Sequence, residues 1–292
     1  MRILVIGSAG TLGIELCTVL SKNHKVYALQ RSDTDYWRSE NVSIIQMDLL
    51  NISFRRIPNK IDVIYFLAQS SKFRNFPNDC SDVFEINVNV MVKFLSWAIS
   101  NNVEQFIYAS SGAVYPKTAI KLVENHKIHS NQIKDFYSLS KYSGELVLNQ
   151  FTHYFKSIAI LRPFFIYGIH QEKDMLIPRL VHKIFNNEII KMPSKNGILI
   201  NPIFAVDAAE LSSRIIGIPG MNIYNIAGKE ILTIKKICEM IGANLDKKPV
   251  YKIQKQKSYN LVADIELMEN ELGSPSVQFS AGLELLINNQ KL

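Results

Sequence analysis

Cysteine is scarce in this 292-residue sequence, which contains only Cys17, Cys80 and Cys238. Three widely separated cysteines form neither a disulfide framework nor the paired spacing of a zinc site, so we expect no structural disulfides and no metal. We also find no apolar run that approaches the roughly 20 residues of a membrane helix. The first predicted strand begins at residue 2, which leaves no room for a signal peptide. We therefore expect a cytoplasmic protein with no membrane partner.

The sequence also has little that points to nucleic acid, although its formal net charge is +7. Lysines gather between Lys229 and Lys257, but only Tyr251 and Tyr259 are aromatic residues near them. A nucleic-acid surface would need aromatic residues interleaved with basic ones on one face. The lysines therefore indicate a solvated surface, and a weak electrostatic bias toward a diphosphate substrate is the alternative.

Glycine spacing near the N-terminus is the most informative feature that is present. An apolar run at 2–6 leads into Gly7, Gly10 and Gly13, and helical spacing of apolar residues follows. Gly7 would permit a tight turn, Gly10 would let a phosphate approach the backbone, and Gly13 would bring helix and strand together. The helix predicted at 11–22 would then point its first N–H groups, from Thr11 and Leu12 onward, at an anion. The pattern predicts a dinucleotide site.

Strand-like and helix-like segments alternate over the first half of the chain, which predicts a doubly wound parallel α/β sheet of the Rossmann type. We place this NAD(P)-binding domain at 1–165, with the segment 199–227 returning to it, and a smaller substrate-binding region at 166–292. The predicted strands lie at 2–6, 25–30, 43–46, 61–67, 104–110 and 157–161. The predicted helices lie at 11–22, 81–101, 137–155, 175–187, 207–217, 233–241, 264–272 and 280–289, with one more strand near 198–204.

Tyr137 and Lys141 lie four residues apart at the start of a predicted helix, so they share one helical face. A nearby ammonium would lower the phenol pKa and suit the tyrosine to acid/base chemistry. About one such pair is expected by chance, and Tyr251 with Lys255 is a second match that we assign to the surface. The first pair follows the fifth predicted strand, whose end carries Ser111, and this order singles it out.

Together these motifs resemble the extended short-chain dehydrogenase/reductases, the NAD-dependent epimerase/dehydratase family that modifies nucleotide-linked sugars. The resemblance covers nearly the whole chain. The cofactor-binding matches are Gly7 to Gly13, Asp48 and Leu49 near adenine, and Leu67 and Ala68 under the pyrophosphate. The other matching positions are Asn87, Ser111, Tyr137, Lys141, the stretch from Arg162 to Gly168, residues 204–207 and residues 224–228.

The resemblance implies which residues act. Tyr137 would be the acid/base, Lys141 would bind the nicotinamide ribose and Ser111 would orient the reacting oxygen, with Asn87 as the asparagine of the active-site helix. Arg162 is a further candidate for substrate contact. Asn201 stands where many relatives carry an arginine that binds the diphosphate, so Arg179 or a nearby lysine is the candidate for that contact.

Two departures from the family narrow the prediction. Gln30 replaces the acidic residue that binds the ribose of NAD, and Arg31 follows it, which favours NADP(H) over NAD. The alternative is that Arg31 is solvated and that Asp33 or Asp35 binds the ribose. Gly112 and Ala113 stand where the family's dehydratases carry two acidic residues, so dehydration is not expected.

Three functions remain open. The first is NADPH-dependent reduction of a nucleotide-linked 4-keto sugar for surface polysaccharide synthesis. The second is a nucleotide-sugar 4-epimerase with tightly bound NAD, and the third is a cofactor-binding protein without catalysis. Because relatives often pair the helices matching 81–101 and 137–155 across a dimer, we expect a homodimer.

Overall fold

Thirteen strands and nine α-helices are found in the computed structural model, over the residues that it describes: 1–116, 121–254 and 257–289. The strands are β1 (Arg2–Ile6), β2 (Lys25–Gln30), β3 (Val42–Gln46), β4 (Val63–Phe66), β5 (Gln105–Ala109), β6 (Ser157–Pro163), β7 (Ile166–Tyr167), β8 (Ile189–Met192), β9 (Leu199–Ile200), β10 (Ile203–Phe204), β11 (Gly220–Ile226), β12 (Leu232–Thr233) and β13 (Val250–Ile253). The helices are α1 (Thr11–Leu20), α2 (Cys80–Phe84), α3 (Val90–Ser100), α4 (Phe136–Asn149), α5 (Leu176–Phe185), α6 (Ala205–Ser213), α7 (Ile234–Leu245), α8 (Glu266–Glu271) and α9 (Phe279–Asn289).

Seven strands form one parallel sheet in the order β11-β6-β5-β4-β1-β2-β3. The chain runs outward from β1 to β3 and then crosses back to β4 on the other side of β1. The strand order therefore reverses between β1 and β4, and ligands bind beyond the strand ends at such a reversal. The predicted Rossmann-type fold is confirmed.

Alternation along the strands gives the sheet two apolar faces, because successive side chains point to opposite sides. Ile3 and Val5 of β1 pack with α1 and α6, whereas Leu4 and Ile6 pack with α3 and Leu148 of α4. A separate cluster joins α5, α7 and α9 in the C-terminal part of the chain. The sheet is thus covered on both faces, and the C-terminal helices have a core of their own.

Several boundaries differ from the sequence prediction. Helix α4 ends at Asn149, six residues before the predicted end, and β11 is a seventh sheet strand that was not predicted. The pair β8 and β13 was also missed. Tyr251 lies half-buried on β13, whereas Lys255 lies outside the described residues.

The predicted helix 81–101 is interrupted by a π-helical turn at Glu85–Asn89, between α2 and α3. Such turns often occur at functional sites. Within the described residues, Cys80–Ser100 is the one helix long and apolar enough to cross a membrane, which corrects the expectation that no stretch comes near that length. Its Phe94, Leu95 and Ala98 pack in the core against the sheet, as in the core helix of a globular domain.

A buried ion pair joins α4 to the sheet. Arg162 on β6 donates to both carboxylate oxygens of Glu145, at 3.0 Å from Nε and 2.6 Å from Nη2, and both side chains are nearly inaccessible to solvent. The remaining donor group of Arg162, Nη1, reaches the Tyr115 hydroxyl at 2.8 Å and the Glu124 carbonyl at 3.1 Å. Every nitrogen of the guanidinium group already has a partner in this structure, and contact of Arg162 with substrate stays a prediction.

This pair makes a stability prediction. We expect Glu145→Ala to lower the free energy of unfolding by about 3–5 kcal/mol, because it leaves a buried guanidinium group without its counter-charge. Glu104→Ala is the matched control: it removes the exposed pair of Glu104 with Lys156, which contributes no more than about 1 kcal/mol. Urea unfolding measures both, and equal losses in the two variants would contradict the assignment.

Candidate active site

The turn after β1 is packed so tightly that a residue with a Cβ does not fit at two of its glycine positions. Gly7 has a φ of +86°, and a Cβ there would lie 2.7 Å from the Ala68 backbone nitrogen. A Cβ on Gly13 would lie 2.5 Å from the Gly7 carbonyl oxygen. Gly7 therefore brings the ends of β1 and β4 together, and Gly13 brings α1 against the turn.

Gly10 has no such internal constraint. It is exposed, its φ of −77° is ordinary, and a Cβ there would meet its nearest atom, the Gly7 oxygen, only at 3.4 Å. It is also the N-cap of α1 and provides no side chain to cap it, and the first turn carries no acidic residue. The first N–H groups of α1, from half-buried Thr11 and Leu12 onward, are therefore open to an anionic ligand. A dinucleotide pyrophosphate fits this loop.

The end of β2 carries an amide rather than a carboxylate. Gln30 is buried, accepts from the Ser8 hydroxyl at 3.2 Å and donates to the Ser32 and Thr34 carbonyls at 3.2 and 2.5 Å. Gln30 thus connects the glycine turn to the loop after β2. Arg31 is exposed, and within the described residues its guanidinium group makes no hydrogen bond or ion pair.

Other residues predicted to contact the cofactor lie at neighbouring strand ends. Asp48 is exposed after β3, and its carboxylate accepts from the Leu50 N–H at 3.0 Å and the Asn51 amide at 3.2 Å. Leu49 and Leu67 are half-buried against the two faces of the sheet. Their contact with a cofactor stays a prediction.

Helix α4 starts where a side chain caps it. The Asp135 carboxylate accepts from the Ser138 N–H and the Ser138 hydroxyl, each at 2.8 Å. Acidic caps stabilise helix N-termini. Because the helix begins at Phe136, Tyr137 lies in its first turn and Lys141 one turn later on the same side.

Tyr137 meets the ends of both β4 and β5. Its hydroxyl donates to Gln69 Oε1 at 3.1 Å, and the nearby Ser111 hydroxyl acts to lower the pKa of the phenol. Its ring packs against Phe73, with 4.9 Å between the centroids. Gln69 directly follows Ala68, which lies against Gly7, so the glycine turn, Gln69 and Tyr137 belong to one continuous set of contacts.

The electrostatics of this set differ from the sequence prediction. Desolvation raises the pKa of Tyr137 above its ordinary value, although the nearby Ser111 hydroxyl opposes this. The Lys141 ammonium group points elsewhere: it donates to the Ala109 carbonyl at 2.8 Å, and burial lowers the pKa of Lys141 to about 7. The expectation that Lys141 lowers the pKa of the phenol is therefore wrong for this structure, in which Tyr137 is protonated at neutral pH.

Asn87 lies in the π-helical turn, is completely buried, and has a partner for each half of its amide. Its oxygen accepts from the Ser70 N–H at 3.0 Å, and its nitrogen donates to the Ser140 hydroxyl at 2.9 Å. Ser140 in turn donates to the Tyr137 carbonyl at 2.8 Å. The contacts of Asn87 are thus those of a positioning residue, which fixes α4 relative to the loop after β4.

Asn201, which replaces the family's diphosphate-binding arginine, and Arg179, the candidate for that contact, have different surroundings in the structure. Asn201 is buried and donates to the Gly228 and Ala263 carbonyls, so it supports the fold. Arg179 is exposed on α5, and its contact with substrate stays a prediction. Sequence reasoning missed Gln69 and Phe73, although Gln69 directly follows the strand end that had been singled out.

The glycine turn makes a paired prediction. We expect Gly13→Ala to lower the free energy of unfolding by about 1–3 kcal/mol, because its Cβ would overlap fixed backbone atoms. We expect Gly10→Ala to keep stability within about 0.5 kcal/mol, since the site is open and its φ is ordinary. Gly10→Ala should nevertheless weaken binding of a nicotinamide dinucleotide about tenfold or more, by pushing the pyrophosphate away from the N–H groups. Thermal unfolding and fluorescence titration measure the two effects; undiminished dinucleotide affinity in Gly10→Ala would contradict the predicted phosphate contact.

Known proteins resemble this chain along most of its length. The uncharacterized UDP-glucose epimerase YtcB of Bacillus subtilis (strain 168) is 23% identical over 259 residues, covering 82% of this chain and 81% of that protein. The dTDP-4-dehydro-6-deoxyglucose reductase of Escherichia coli is 29% identical over 226 residues, covering 74% and 69%. Among solved structures, the UDP-glucuronic acid 4-epimerase from Bacillus cereus, in complex with UDP-glucuronic acid and NAD, superposes with a TM-score of 0.88 at 24% identity and covers 99% of this chain and 98% of that one.

The family comparison agrees with the geometry of the site. The model of the NAD dependent epimerase/dehydratase family matches residues 3–227, a range that runs from β1 past the end of β11 and includes the glycine turn, Ser111, Tyr137 and Lys141. With more than half of the chain matched, the protein belongs to the NAD-dependent epimerase/dehydratase family.

Proposed function

We propose that the protein reduces the keto group of a nucleotide-linked 4-keto sugar with NADPH, as a step in making a deoxysugar for a surface polysaccharide. The observation that carries the proposal is the continuous set of contacts from Gly7 through Ala68 and Gln69 to Tyr137, with the Ser111 hydroxyl near enough to influence the phenol. It places a phenol and a hydroxyl next to the loop that fits a dinucleotide pyrophosphate. A proton donor beside a hydride source is what carbonyl reduction requires.

The protonation of Tyr137 supports the reductive direction. A ketone that accepts a hydride needs a proton on its oxygen, and a phenol whose pKa is raised by burial holds that proton at neutral pH. Ser111 would hold the substrate oxygen beside the phenol. The cofactor, when bound, supplies the hydride, and the protein contributes alignment and the proton.

Lys141 would face the nicotinamide ribose. Burial lowers the pKa of Lys141 to about 7. A ribose hydroxyl can replace or supplement the bond of the ammonium to Ala109, and a negative cofactor favours the charged amine. The lysine would then orient the ribose rather than act on the substrate itself.

Dehydration remains unsupported because the site lacks the acidic residues for it. Gly112 is buried, and a Cβ there would lie 2.7 Å from the Phe164 ring, so the position has no room for a carboxylate as the ring stands. Ala113 carries no acid either. Reduction needs neither residue.

Epimerisation at C4 is the second candidate, favoured by the match of the whole chain to an epimerase solved with NAD and a UDP-sugar. In that reaction a tightly held cofactor takes a hydride from the sugar and returns it to the opposite face. Reduction and epimerisation therefore differ in whether added cofactor is consumed. A cofactor-binding protein without turnover is the third possibility.

One experiment separates the three. With a nucleotide-linked 4-keto sugar, we expect oxidation of NADPH at 340 nm, one equivalent for each sugar reduced. Tyr137→Phe should lower kcat about 10²–10⁴-fold, because the proton donor is lost, while Tyr154→Phe, which changes an exposed tyrosine, should not.

Two other outcomes would overturn the proposal. Conversion of a nucleotide sugar to its 4-epimer with retained NAD and no net redox change would favour the epimerase. Cofactor binding without turnover of any nucleotide sugar would favour the third possibility.

The preference for NADP(H) rests on the loop after β2. Gln30 offers no carboxylate to a ribose hydroxyl, Asp35 already accepts from the Trp37 N–H at 2.9 Å, and Arg31 is exposed beside them. A guanidinium group without a partner suits a 2′-phosphate. NAD remains the alternative, with Asp33 as the residue that would bind the ribose.

We expect Arg31→Ala to weaken NADPH binding about 10- to 100-fold and to leave NADH binding unchanged, because only the phosphate contact is lost. Arg38→Ala, an exposed arginine in the same loop, is the control. Isothermal titration measures the four affinities. Equal wild-type affinities for the two cofactors would contradict the preference.

The expected homodimer would use the face of α4. Leu139 and Leu146, seven residues apart on this helix, are 41% and 49% exposed. Residues at that spacing share one helical face. Pairing of this face with a second copy would cover both leucines.

A further inference from the structure

Gln69 makes a contact with Tyr137 that no motif in the sequence assigns. The residue is exposed at the end of β4, and its Oε1 accepts the hydrogen bond of the Tyr137 hydroxyl at 3.1 Å. An exposed glutamine ordinarily turns its amide to water. Here the amide oxygen of Gln69 instead accepts the hydrogen bond that the phenol hydroxyl donates.

The backbone on both sides of Gln69 is held in place. Ala68 lies against Gly7, and the Ser70 N–H donates to Asn87 at 3.0 Å. The Ser70 hydroxyl also donates to Asp82 at 2.5 Å. Because Ala68 and Ser70 are both fixed, the side chain of Gln69 starts from a defined backbone position. Its contact with Tyr137 is therefore part of the site.

The ring of Tyr137 is held as well. Phe73, four residues after Gln69, packs on it, and the Arg74 guanidinium group lies 4.4 Å above the centre of the Phe73 ring. Arg74 also pairs with Asp174, which precedes α5. The loop that carries Gln69 thus contacts the phenol at its ring and at its hydroxyl.

We propose that Gln69 is a positioning residue that holds the Tyr137 hydroxyl as a hydrogen-bond donor until a substrate oxygen takes the place of the glutamine amide oxygen. The inference rests on the proposed function of Tyr137 as the proton donor. Gln69 accepts from the phenol and offers nothing to a tyrosinate in this orientation, so its contact favours the protonated side chain. It therefore prepares the enzyme for reduction, whose first requirement is a donor.

Other groups act on the same phenol and set the background of the test. Asp135, before α4, raises the pKa of Tyr137, whereas Arg74 and the Ser111 hydroxyl lower it. Asp174 is paired with Arg74, and the Lys141 amine is bonded to the Ala109 carbonyl. None of these residues is changed by substitution at Gln69.

The test titrates Tyr137 directly. In protein labelled with [¹³Cζ]tyrosine, the resonance that is missing from Tyr137→Phe belongs to Tyr137, and its midpoint gives the pKa. Gln69→Leu removes the acceptor at similar volume, and we expect the midpoint to fall by about half to one pH unit, the equivalent of one neutral hydrogen bond. Gln69→Glu keeps an acceptor and adds a negative charge, so its midpoint should rise. Gln150→Leu, an exposed glutamine just after α4, should leave the midpoint unchanged.

A second readout connects the contact to turnover. In the reductive direction, kcat/KM falls at high pH as the phenol loses its proton, and the midpoint of this fall should move downward in Gln69→Leu by the shift that the resonance shows. An unchanged or raised midpoint of Tyr137 in Gln69→Leu would overturn the proposal for Gln69. A wild-type enzyme that reduces no nucleotide sugar, while its Tyr137 resonance still shifts in the two Gln69 variants, would overturn the proposed function and leave the contact established.

Discussion

The close approach of two backbone segments determines where this site can form. The Gly7 turn after β1 lies against Ala68 after β4, at the point where the strand order reverses, and only a residue without a Cβ allows that distance. From this contact the chain runs directly to Gln69, and from Gln69 to the phenol of Tyr137. The loop proposed to bind phosphate and the proposed acid/base residue are thereby neighbours, joined by the side chain of a glutamine that directly follows Ala68.

Helix α4 carries the candidate catalytic residues Tyr137 and Lys141, and buried polar groups hold it in place. Asn87 joins it to the loop after β4 through Ser140, and Glu145 joins it to β6 through Arg162. Apolar packing alone would let a helix slide or rotate, whereas hydrogen bonds have fixed directions. Burying these polar groups costs desolvation free energy, which their hydrogen bonds offset in part. In return, the helix that carries Tyr137 keeps one orientation.

The sequence predicted the sheet and the catalytic candidates because these follow from local patterns. The spacing of Gly7, Gly10 and Gly13 after an apolar run, and of Tyr137 and Lys141 along a helix, is visible in one dimension. The partners of a buried charge are not, since Arg162 meets Glu145 only after β6 and α4 pack together. The same reason explains why the pKa of Tyr137 was predicted in the wrong direction: the distribution of water around a phenol, and the direction in which the Lys141 amine points, are properties of the folded chain.

The ring of Phe164 limits how this enzyme can change its chemistry. It fills the space beside Gly112 that an acidic side chain would need. An aspartate introduced at this position would overlap the ring as it lies in this structure, so we expect a change toward water elimination to require a smaller residue at position 164 as well. That replacement alone would open a cavity in the core and lower stability without any gain in activity. Positions 112 and 164 are thus coupled. We expect directed evolution toward water elimination to need changes at both positions together.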